Sequence, residues 1–270
     1  MNAADFDLLA SILRQRSGLV LSRDKVYLLE SRLVPLARRR GLAGLDEFVA
    51  KVRLGGDESL LRDMTEAMTT NESFFFRDIK PFEVFRRETL PNLLEARAHR
   101  RQIRIWSAAC STGQEPYSLA MMLKEEAAKL AGWRVEIVAT DLSAEVLEKA
   151  KVGLYSQFEV QRGLPIQLML KYFAQVNDLW QIDAGVRAMV SFREANLLDD
   201  LSTLGQFDVV FCRNVLIYFD QDTKRAVLER IGRLMPPDGV LYLGGAETVL
   251  GICDNFKPLP GQRGVYGMAA

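Results

Sequence analysis

The stretch Ile103-Arg104-Ile105-Trp106-Ser107-Ala108-Ala109-Cys110-Ser111-Thr112-Gly113-Gln114-Glu115-Pro116-Tyr117-Ser118 decides the fold. A short apolar run of strand character enters a series of small residues and Gly113, and a pattern of helical period follows from Tyr117 to Ala131. Strand, tight turn and helix in that order form the building unit of an open parallel sheet. Small residues at the turn let a nucleotide-like ligand approach the backbone closely. A tight strand–helix turn also arises for packing alone, so its meaning depends on what surrounds it.

The rhythm continues on the C-terminal side. Apolar runs at Ile103–Trp106, Val135–Ala139, Val190–Phe192, Phe207–Phe211 and Val240–Leu243 alternate with helical stretches. The helical stretches are Tyr117–Ala131, Ala144–Lys151 and Asp222–Leu234. Such alternation predicts right-handed crossovers and an α/β sheet that binds ligands at the carboxyl ends of its strands. Residues 164–190 break the pattern: Leu179-Trp180-Gln181-Ile182 is followed by Asp183-Ala184-Gly185, which reads as a turn, and then by Val186 onward. A small antiparallel insertion fits this stretch better than another crossover helix.

Toward the N-terminus, residues 1–70 read as helices only. Phe6, Leu9, Ala10 and Leu13 follow helical spacing, as do Leu29, Leu33 and Leu36. Ser22 reads as the cap of a helix running to Arg40 and stopping before Gly41, with Pro35 predicting a kink or early end. Leu45–Val52 and Leu60–Met68 give two further short helices, separated by Gly55-Gly56. Residues 71–99 join this helical domain to the α/β domain at 100–270.

The composition is that of a globular chain: 49% of the 270 residues are hydrophobic and 26% charged. Acidic and basic residues both total 35, so no global charge points to nucleic acid. Between Leu13 and Arg40, however, Arg14, Arg16, Arg23, Lys25, Arg32, Arg38, Arg39 and Arg40 face only Asp24 and Glu30, an excess that attracts an acidic partner. The three cysteines form no CxxC pair, so neither a disulfide framework nor a zinc site is expected, and no metal. Asp5 and Asp7 spoil any signal-peptide pattern, and no apolar run approaches the roughly 20 residues needed to span a bilayer. A cytoplasmic protein without membrane insertion is the expectation.

The strand ends carry the chemistry. The first loop lacks the second and third glycines of the dinucleotide fingerprint, which favours a nucleoside with an uncharged linker over a pyrophosphate. Glu115 opens the helix, repels phosphate and suits an ammonium group such as the amino end of a methionine moiety. Asp141 ends the second strand, where a carboxylate accepts ribose hydroxyls. Read alone it serves equally as a cap for the helix opening at Ser143; with the first loop, the ribose reading prevails. Asn196 and Asn214 follow two later strands and suit an adenine edge, or else satisfy their own loops. Cys110 and Cys212 read as small packing residues. His99, the lone histidine, lies in a polar run, and a second one for a Ser-His-Asp or Cys-His mechanism does not exist.

Three motifs then make a resemblance specific: Thr69-Thr70-Asn71-Glu72-Ser73-Phe74-Phe75-Phe76-Arg77, Trp106 to Ser118, and Phe211-Cys212-Arg213-Asn214-Val215-Leu216-Ile217-Tyr218-Phe219. In this order, and over nearly the whole chain, they resemble the CheR family of chemotaxis receptor methyltransferases. The resemblance implies a class I S-adenosylmethionine-dependent methyltransferase domain, Rossmann-like with a mostly parallel sheet and a small antiparallel β-subdomain, behind an all-α receptor-recognition domain. It implies transfer of the methyl of S-adenosylmethionine to glutamate carboxylates of chemoreceptors, with S-adenosylhomocysteine as product.

Carried over residue by residue, Asn71, Ser73 and Arg77 cover the cofactor, and Arg77 also helps hold the substrate or close the linker. Glu115 and Asp141 match contacts to the methionine and ribose parts; Asn196, Leu197, Asn214 and Val215 match the remaining pocket positions. No general base is expected. Lys25, Arg32 and Arg39, spaced by seven, are expected to dock on the receptor's acidic helical bundle. Ser73 stands where the family commonly has Thr, and Gly244-Gly245-Ala246-Glu247 lacks the family's His. The insertion at Ala174–Met189 is short, which suggests an enzyme independent of a receptor C-terminal pentapeptide. A monomer is expected. A methyltransferase on another protein or small carboxylic acid, or a cofactor-binding adaptor, are the alternatives; the missing glycines make an NAD-dependent oxidoreductase a poor third.

Overall fold

The computed structural model describes residues 1–269. It divides into two compact units, Met1–Thr70 with Tyr218–Thr223, and Asn71–Ile217 with the chain from Lys224 onward.

The first unit holds four helices, α1 (Ala3–Ser17), α2 (Val26–Arg39), α3 (Leu45–Arg53) and α4 (Glu58–Met68). Their apolar stripes meet in a core where Leu9, Leu13, Leu29, Leu33, Phe48 and Met64 are wholly buried, each worth roughly 1.5–3 kcal/mol relative to exposure. Asn2 caps α1 by accepting from the Asp5 amide, and Asp57 caps α4 by accepting from the Leu60 amide. The 218–223 segment returns to this unit: the Val20 amide donates to the Tyr218 carbonyl at 2.9 Å and Arg14 pairs with Asp220 at 2.6 Å.

Two local expectations change here. Ser22 caps a three-residue 3-10 turn, Arg23–Lys25, ahead of α2, and its side chain makes no cap bond. Pro35 does not break α2. The carbonyl that its missing N–H leaves without a helical partner belongs to Ser31, and both residues lie on the exposed face, open to solvent.

In the second unit, residues 71–79 form a strap, followed by α5 (Lys80–Val84), a π-helical turn (Phe85–Thr89) and α6 (Leu90–Ala96). Among the described residues ten strands follow in chain order: β1 (Gln102–Ala108), β2 (Arg134–Asp141), β3 (Leu154–Ser156), β4 (Phe173–Val176), β5 (Leu179–Ile182), β6 (Val190–Glu194), β7 (Val209–Cys212), β8 (Val240–Leu243), β9 (Phe256–Pro258) and β10 (Val265–Met268). The helices among them are α7 (Gln114–Glu125), α8 (Ala144–Val152), α9 (Gln157–Gln161), α10 (Ile166–Tyr172), α11 (Ala184–Arg187) and α12 (Gln221–Arg233).

The main sheet has the order β6-β2-β1-β7-β8-β10-β9. The first five of these strands run parallel, while β10 pairs antiparallel with β8 and with β9. The chain moves outward from β1 to β2 and β6, then crosses to β7 on the other side of β1. The topological switch therefore falls between β1 and β7, where open α/β sheets form their ligand crevice. A second sheet, β3-β5-β4, is wholly antiparallel. It begins at Leu154, ten residues before the start of the expected insertion, because a three-residue strand is too short to show alternation. The expected turn at Asp183-Ala184-Gly185 is in fact the start of the single helical turn α11, capped by Asp183.

Ile105, Ile137, Val209, Phe211 and Tyr242 lie in the core on the sheet, joined by Phe82 and Phe85 of the helical segment after the strap. The rings of Phe211 and Tyr242 stack at 4.4 Å, and the Tyr242 hydroxyl reaches Thr89 Oγ1 at 2.6 Å. At the amino edge of the strands, buried Asp208 accepts from Arg97, Arg100 and the Arg104 amide, and Arg97 grips Asp238 with both terminal nitrogens. This knot ties α6 to the sheet at the edge opposite the nominated residues.

Candidate functional site

The strand register sets the site. Ala108 is level with Thr140 and with Cys212, Asp141 with Glu194, and Cys212 with Leu243. Parallel strands in this register end together, so the loops 109–113, 142–143, 195–197, 213–215 and 244–247 all leave the same edge. Six of the eight non-glycine residues with positive φ fall in these loops and the strap: Phe76, Asp78, Ile79, Ala109, Ser111 and Asn214. Each such residue costs on the order of 1–3 kcal/mol and persists where its surroundings impose it. Gly113 continues the first loop at φ +94, where a Cβ would meet Ala150 at 3.0 Å and the Tyr155 hydroxyl at 3.2 Å.

Asp141 bridges two loops. One carboxylate oxygen accepts the Ser111 amide at 2.8 Å and the other the Ser143 amide at 3.0 Å. It does not itself cap α8; that role belongs to Ser143, whose hydroxyl accepts from Val146. Burial pushes the Asp141 carboxyl above its ordinary pKa, opposed by the amides of Ser143, Ser111 and Leu142. A carboxylate offers about four lone pairs, so both oxygens keep acceptor capacity for ligand hydroxyls.

Glu115, in the first turn of α7, accepts from Ser107 Oγ at 2.8 Å and from Arg213 Nη1 at 2.9 Å. The side chain of Arg213 is only 1% exposed. Its other terminal nitrogen donates to the Arg77 carbonyl at 2.8 Å and to Asp78 Oδ2 at 2.7 Å, and its Nε is buried without a partner. Arg213 thus ties the strap to the first turn of α7. Asn214 and Val215 follow it, and the Glu247 carboxylate accepts both of their amides, at 2.8 and 2.9 Å, together with that of Gly244.

The rest of the strap is held by further bonds. Ser111 Oγ donates to the Asn71 carbonyl at 2.9 Å, and the Phe76 amide donates to Ser118 Oγ at 3.0 Å. Phe75 is wholly buried, edge-on to Tyr155 and Phe173 of the small sheet. Arg77 Nη1 donates to the Glu72 carbonyl at 2.9 Å, while the neighbouring Asp78 pairs with Arg213. Asn196 Oδ1 accepts from the Leu198 amide at 3.1 Å and Leu197 is buried. Ser73 is half-buried in the strap.

Asn71, Ser73, Arg77, Glu115, Asp141, Asn196, Leu197, Asn214 and Val215 therefore all lie on the strap or at the strands' carboxyl edge of one unit. Lys25, Arg32 and Arg39 lie in the other. Lys25 and Arg39 are exposed, but the Arg32 guanidinium caps the end of α4, donating to the carbonyls of Met68 at 2.8 Å and Thr69 at 2.7 Å. Arg213, Glu247 and Ser107 are the site residues that sequence reasoning passed over. The available signal was a cation set between apolar residues, Phe211-Cys212 before Arg213 and Val215-Leu216 after it, since a charge buried in such a run must be paired.

Cys110 and Cys212 are buried free thiols, pushed up by desolvation. No group of His, Cys, Asp or Glu among the described residues is placed to hold a metal ion. No helix among them is long and apolar enough to cross a membrane. A shallow cleft lined by Arg86, Arg87, Pro91, Glu126 and Lys129 contains none of the nominated residues.

A mostly parallel sheet with a carboxylate at the end of β2 and a strained small-residue loop after β1, without the dinucleotide glycines, fits a class I S-adenosylmethionine-dependent methyltransferase. The family described as CheR methyltransferase, SAM binding domain, matches residues 71–265, and the one described as CheR methyltransferase, all-alpha domain, matches residues 4–69. The chain is 43% identical over 269 residues to chemotaxis protein methyltransferase 1 of Pseudomonas aeruginosa, covering 97% of this chain and 96% of that one. It is 38% identical to chemotaxis protein methyltransferase Cher2 of Pseudomonas putida, covering 98% of each. It is 39% identical to the chemotaxis protein methyltransferase of Vibrio parahaemolyticus, covering 94% of this chain and 92% of the relative. The protein belongs to the CheR methyltransferase family, whose reaction is S-adenosylmethionine-dependent methylation in chemotaxis.

Proposed function

We propose that the protein methylates glutamate side chains in the cytoplasmic helical bundle of chemoreceptors. The observation that carries this reading is the meeting of Asp141, Glu115 and the Asn214-Val215 loop at one sheet edge, under a strap that bears Arg77, in a chain of this family. The donor set fits the cofactor. Asp141 suits the ribose hydroxyls, Glu115 the methionine ammonium, and Asn196, Leu197, Asn214 and Val215 the adenine side, with Asn71, Ser73 and Arg77 above.

Bound S-adenosylmethionine supplies an electrophilic methyl, and a glutamate oxygen displaces the sulfur to give a methyl ester and S-adenosylhomocysteine. A carboxylate with a reference pKa of about 4.3 is already ionised at neutral pH, so the protein's residues need not move a proton. Their work is in-line positioning, which supplies roughly 7–11 kcal/mol in well-oriented cases. Arg77 is assigned the substrate carboxylate or the closure of the strap. The small sheet's hairpin has strands of only four residues each, in keeping with engagement that does not rely on a receptor pentapeptide.

The test is transfer of label from methyl-radiolabelled S-adenosylmethionine to receptor-containing membranes, scored as base-labile label. Label on receptors with and without C-terminal tails, lost with Asp141→Ala, is expected. Cofactor binding with no label on receptor would overturn the substrate assignment and favour the adaptor reading.

A further inference from the structure

Besides the ring contacts of Phe75 with Tyr155 and Phe173, the β-subdomain meets the strap just after α9. Arg162, after α9, donates to Glu72 Oε1 at 2.5 Å and sets its guanidinium over the Phe74 ring, 4.5 Å from the centroid. Arg77 uses the same two residues: it donates to the Glu72 carbonyl and lies 5.3 Å from the centroid of the same ring. The next residue, Gly163, is at φ +85, and a Cβ there would fall inside the Phe75 carbonyl oxygen and within 3.2 Å of Phe74 Cδ2. No side chain fits at position 163 while the strap is seated. Glu72 and Phe74 therefore stand between two guanidinium groups, one from the strap itself and one from the subdomain.

We infer that Arg162-Gly163 is the seat of the strap and that Arg162 is a positioning residue, acting through Glu72 and Phe74 to fix Arg77 over the cofactor site. This rests on the reading of Arg77 and the strap given under Proposed function. The seat makes cofactor affinity depend on the subdomain although Arg162 is none of the nominated cofactor contacts. A load on the subdomain that shifts α9 is transmitted to Arg77 by the shared pair.

The test is calorimetric titration of the full chain with S-adenosylhomocysteine, together with steady-state KM and kcat. Arg162→Ala is expected to weaken binding by about tenfold, the combined size of an exposed ion pair and a cation–π contact, with the loss in KM for the cofactor rather than in kcat. Arg162→Lys keeps the charge but not the planar stack and is expected to stay within about threefold of wild type. Glu72→Gln removes the ion pair but leaves the contact of Arg162 with Phe74, and is expected to weaken binding by about threefold, less than Arg162→Ala; unchanged affinity in Glu72→Gln overturns the seat.

A double-mutant cycle separates positioning from general support. In the Arg77→Ala background, Arg162→Ala is expected to add less than about twofold, since the two act through one path. Full multiplication of the two losses overturns the proposal. Lys149→Ala breaks the pair that links Lys149 of α8 to Glu159 of α9, the helix before Arg162, without touching the strap and is expected to leave affinity unchanged; an equal loss there overturns the specific role of Arg162. If Arg77→Ala itself changes neither affinity nor turnover, the reading of Arg77 fails. If Arg77→Ala weakens binding and Arg162→Ala does not, only the seat fails.

Discussion

Arg213 and Glu115 are 98 positions apart in the sequence and 2.9 Å apart in the fold. The pair joins the loop after β7 to the first turn of α7, and the same guanidinium holds Asp78 and the Arg77 carbonyl of the strap. Arg213→Ala should leave Glu115 without its cation and let the left-handed Asp78 relax. Breaking a buried pair from one side costs about 3–5 kcal/mol; Asp78 is half exposed, so the lower end is expected. Cofactor affinity should fall by more than about tenfold, and Arg213→Lys should recover only part of it, because an ammonium lacks the fork. Thermal unfolding and S-adenosylhomocysteine titration of both variants check this. Wild-type affinity in Arg213→Ala would mean that the strap is pinned elsewhere.

Asp141 gives a pH dependence whose sign is fixed. Burial raises its folded pKa above the usual carboxylate range. The stability linked to this group is therefore present at low pH and lost as pH rises through the folded pKa. Binding through ribose hydroxyls favours the ionised form, so it works the other way: affinity falls, and proton release on binding grows, as pH drops toward that pKa. The loss should begin above about pH 3.9, where an ordinary Asp would titrate. Calorimetry in two buffers of different ionisation heat, between about pH 5 and 8, reads the proton directly. Asp141→Asn should flatten the profile and lower affinity; a wild-type profile in that variant would remove Asp141 from the ligand.

Glu247 is predicted to act as a brace for the loop after β7. Its carboxylate accepts three amides, including that of Asn214 at φ +62. Glutamine offers a single acceptor oxygen and points an NH2 donor at an N–H, which costs about 1–3 kcal/mol per unsatisfied group. Glu247→Gln should speed hydrogen exchange at the Asn214 and Val215 amides and raise the cofactor KM. Exchange at wild-type rates would show that the β7 loop holds its shape without the carboxylate.

Local features of this fold were legible in the sequence, and long-range ones were not. The β1 loop announced itself because strand, small residues, Gly113 and helix lie within sixteen consecutive residues, Ile103 to Ser118. Asp141, Asn196 and Asn214 were visible because the first ends β2 and the other two lie two residues past β6 and β7. The partners of Glu115, Ser107 and Arg213, were not foreseen, since one bond spans the turn between β1 and α7 and the other joins positions 98 apart in the chain. Strand β3 has three residues, and β9 and β10 add an antiparallel edge that crossover periodicity does not encode. Arg32 shows the same limit. Its spacing with Lys25 and Arg39 is a helical fact, but the α4 carbonyls that take its guanidinium are 36 and 37 residues away.

That difference among the three cations yields a prediction about docking. Lys25 and Arg39 are exposed, so reversing either charge should reduce receptor methylation severalfold, more at low salt than at high, where screening already weakens the attraction. Cofactor affinity and melting temperature should not move. Arg32→Glu should also destabilise the helical unit, by about 1–3 kcal/mol, because it removes charged hydrogen bonds from the end of α4 and places a carboxylate against carbonyl oxygens. The measurement is receptor methylation beside thermal unfolding for Lys25→Glu, Arg32→Glu and Arg39→Glu. If only Arg32→Glu lowers methylation, and does so in step with its loss of stability, the stripe is not a docking face and Arg32 matters solely as the cap of α4.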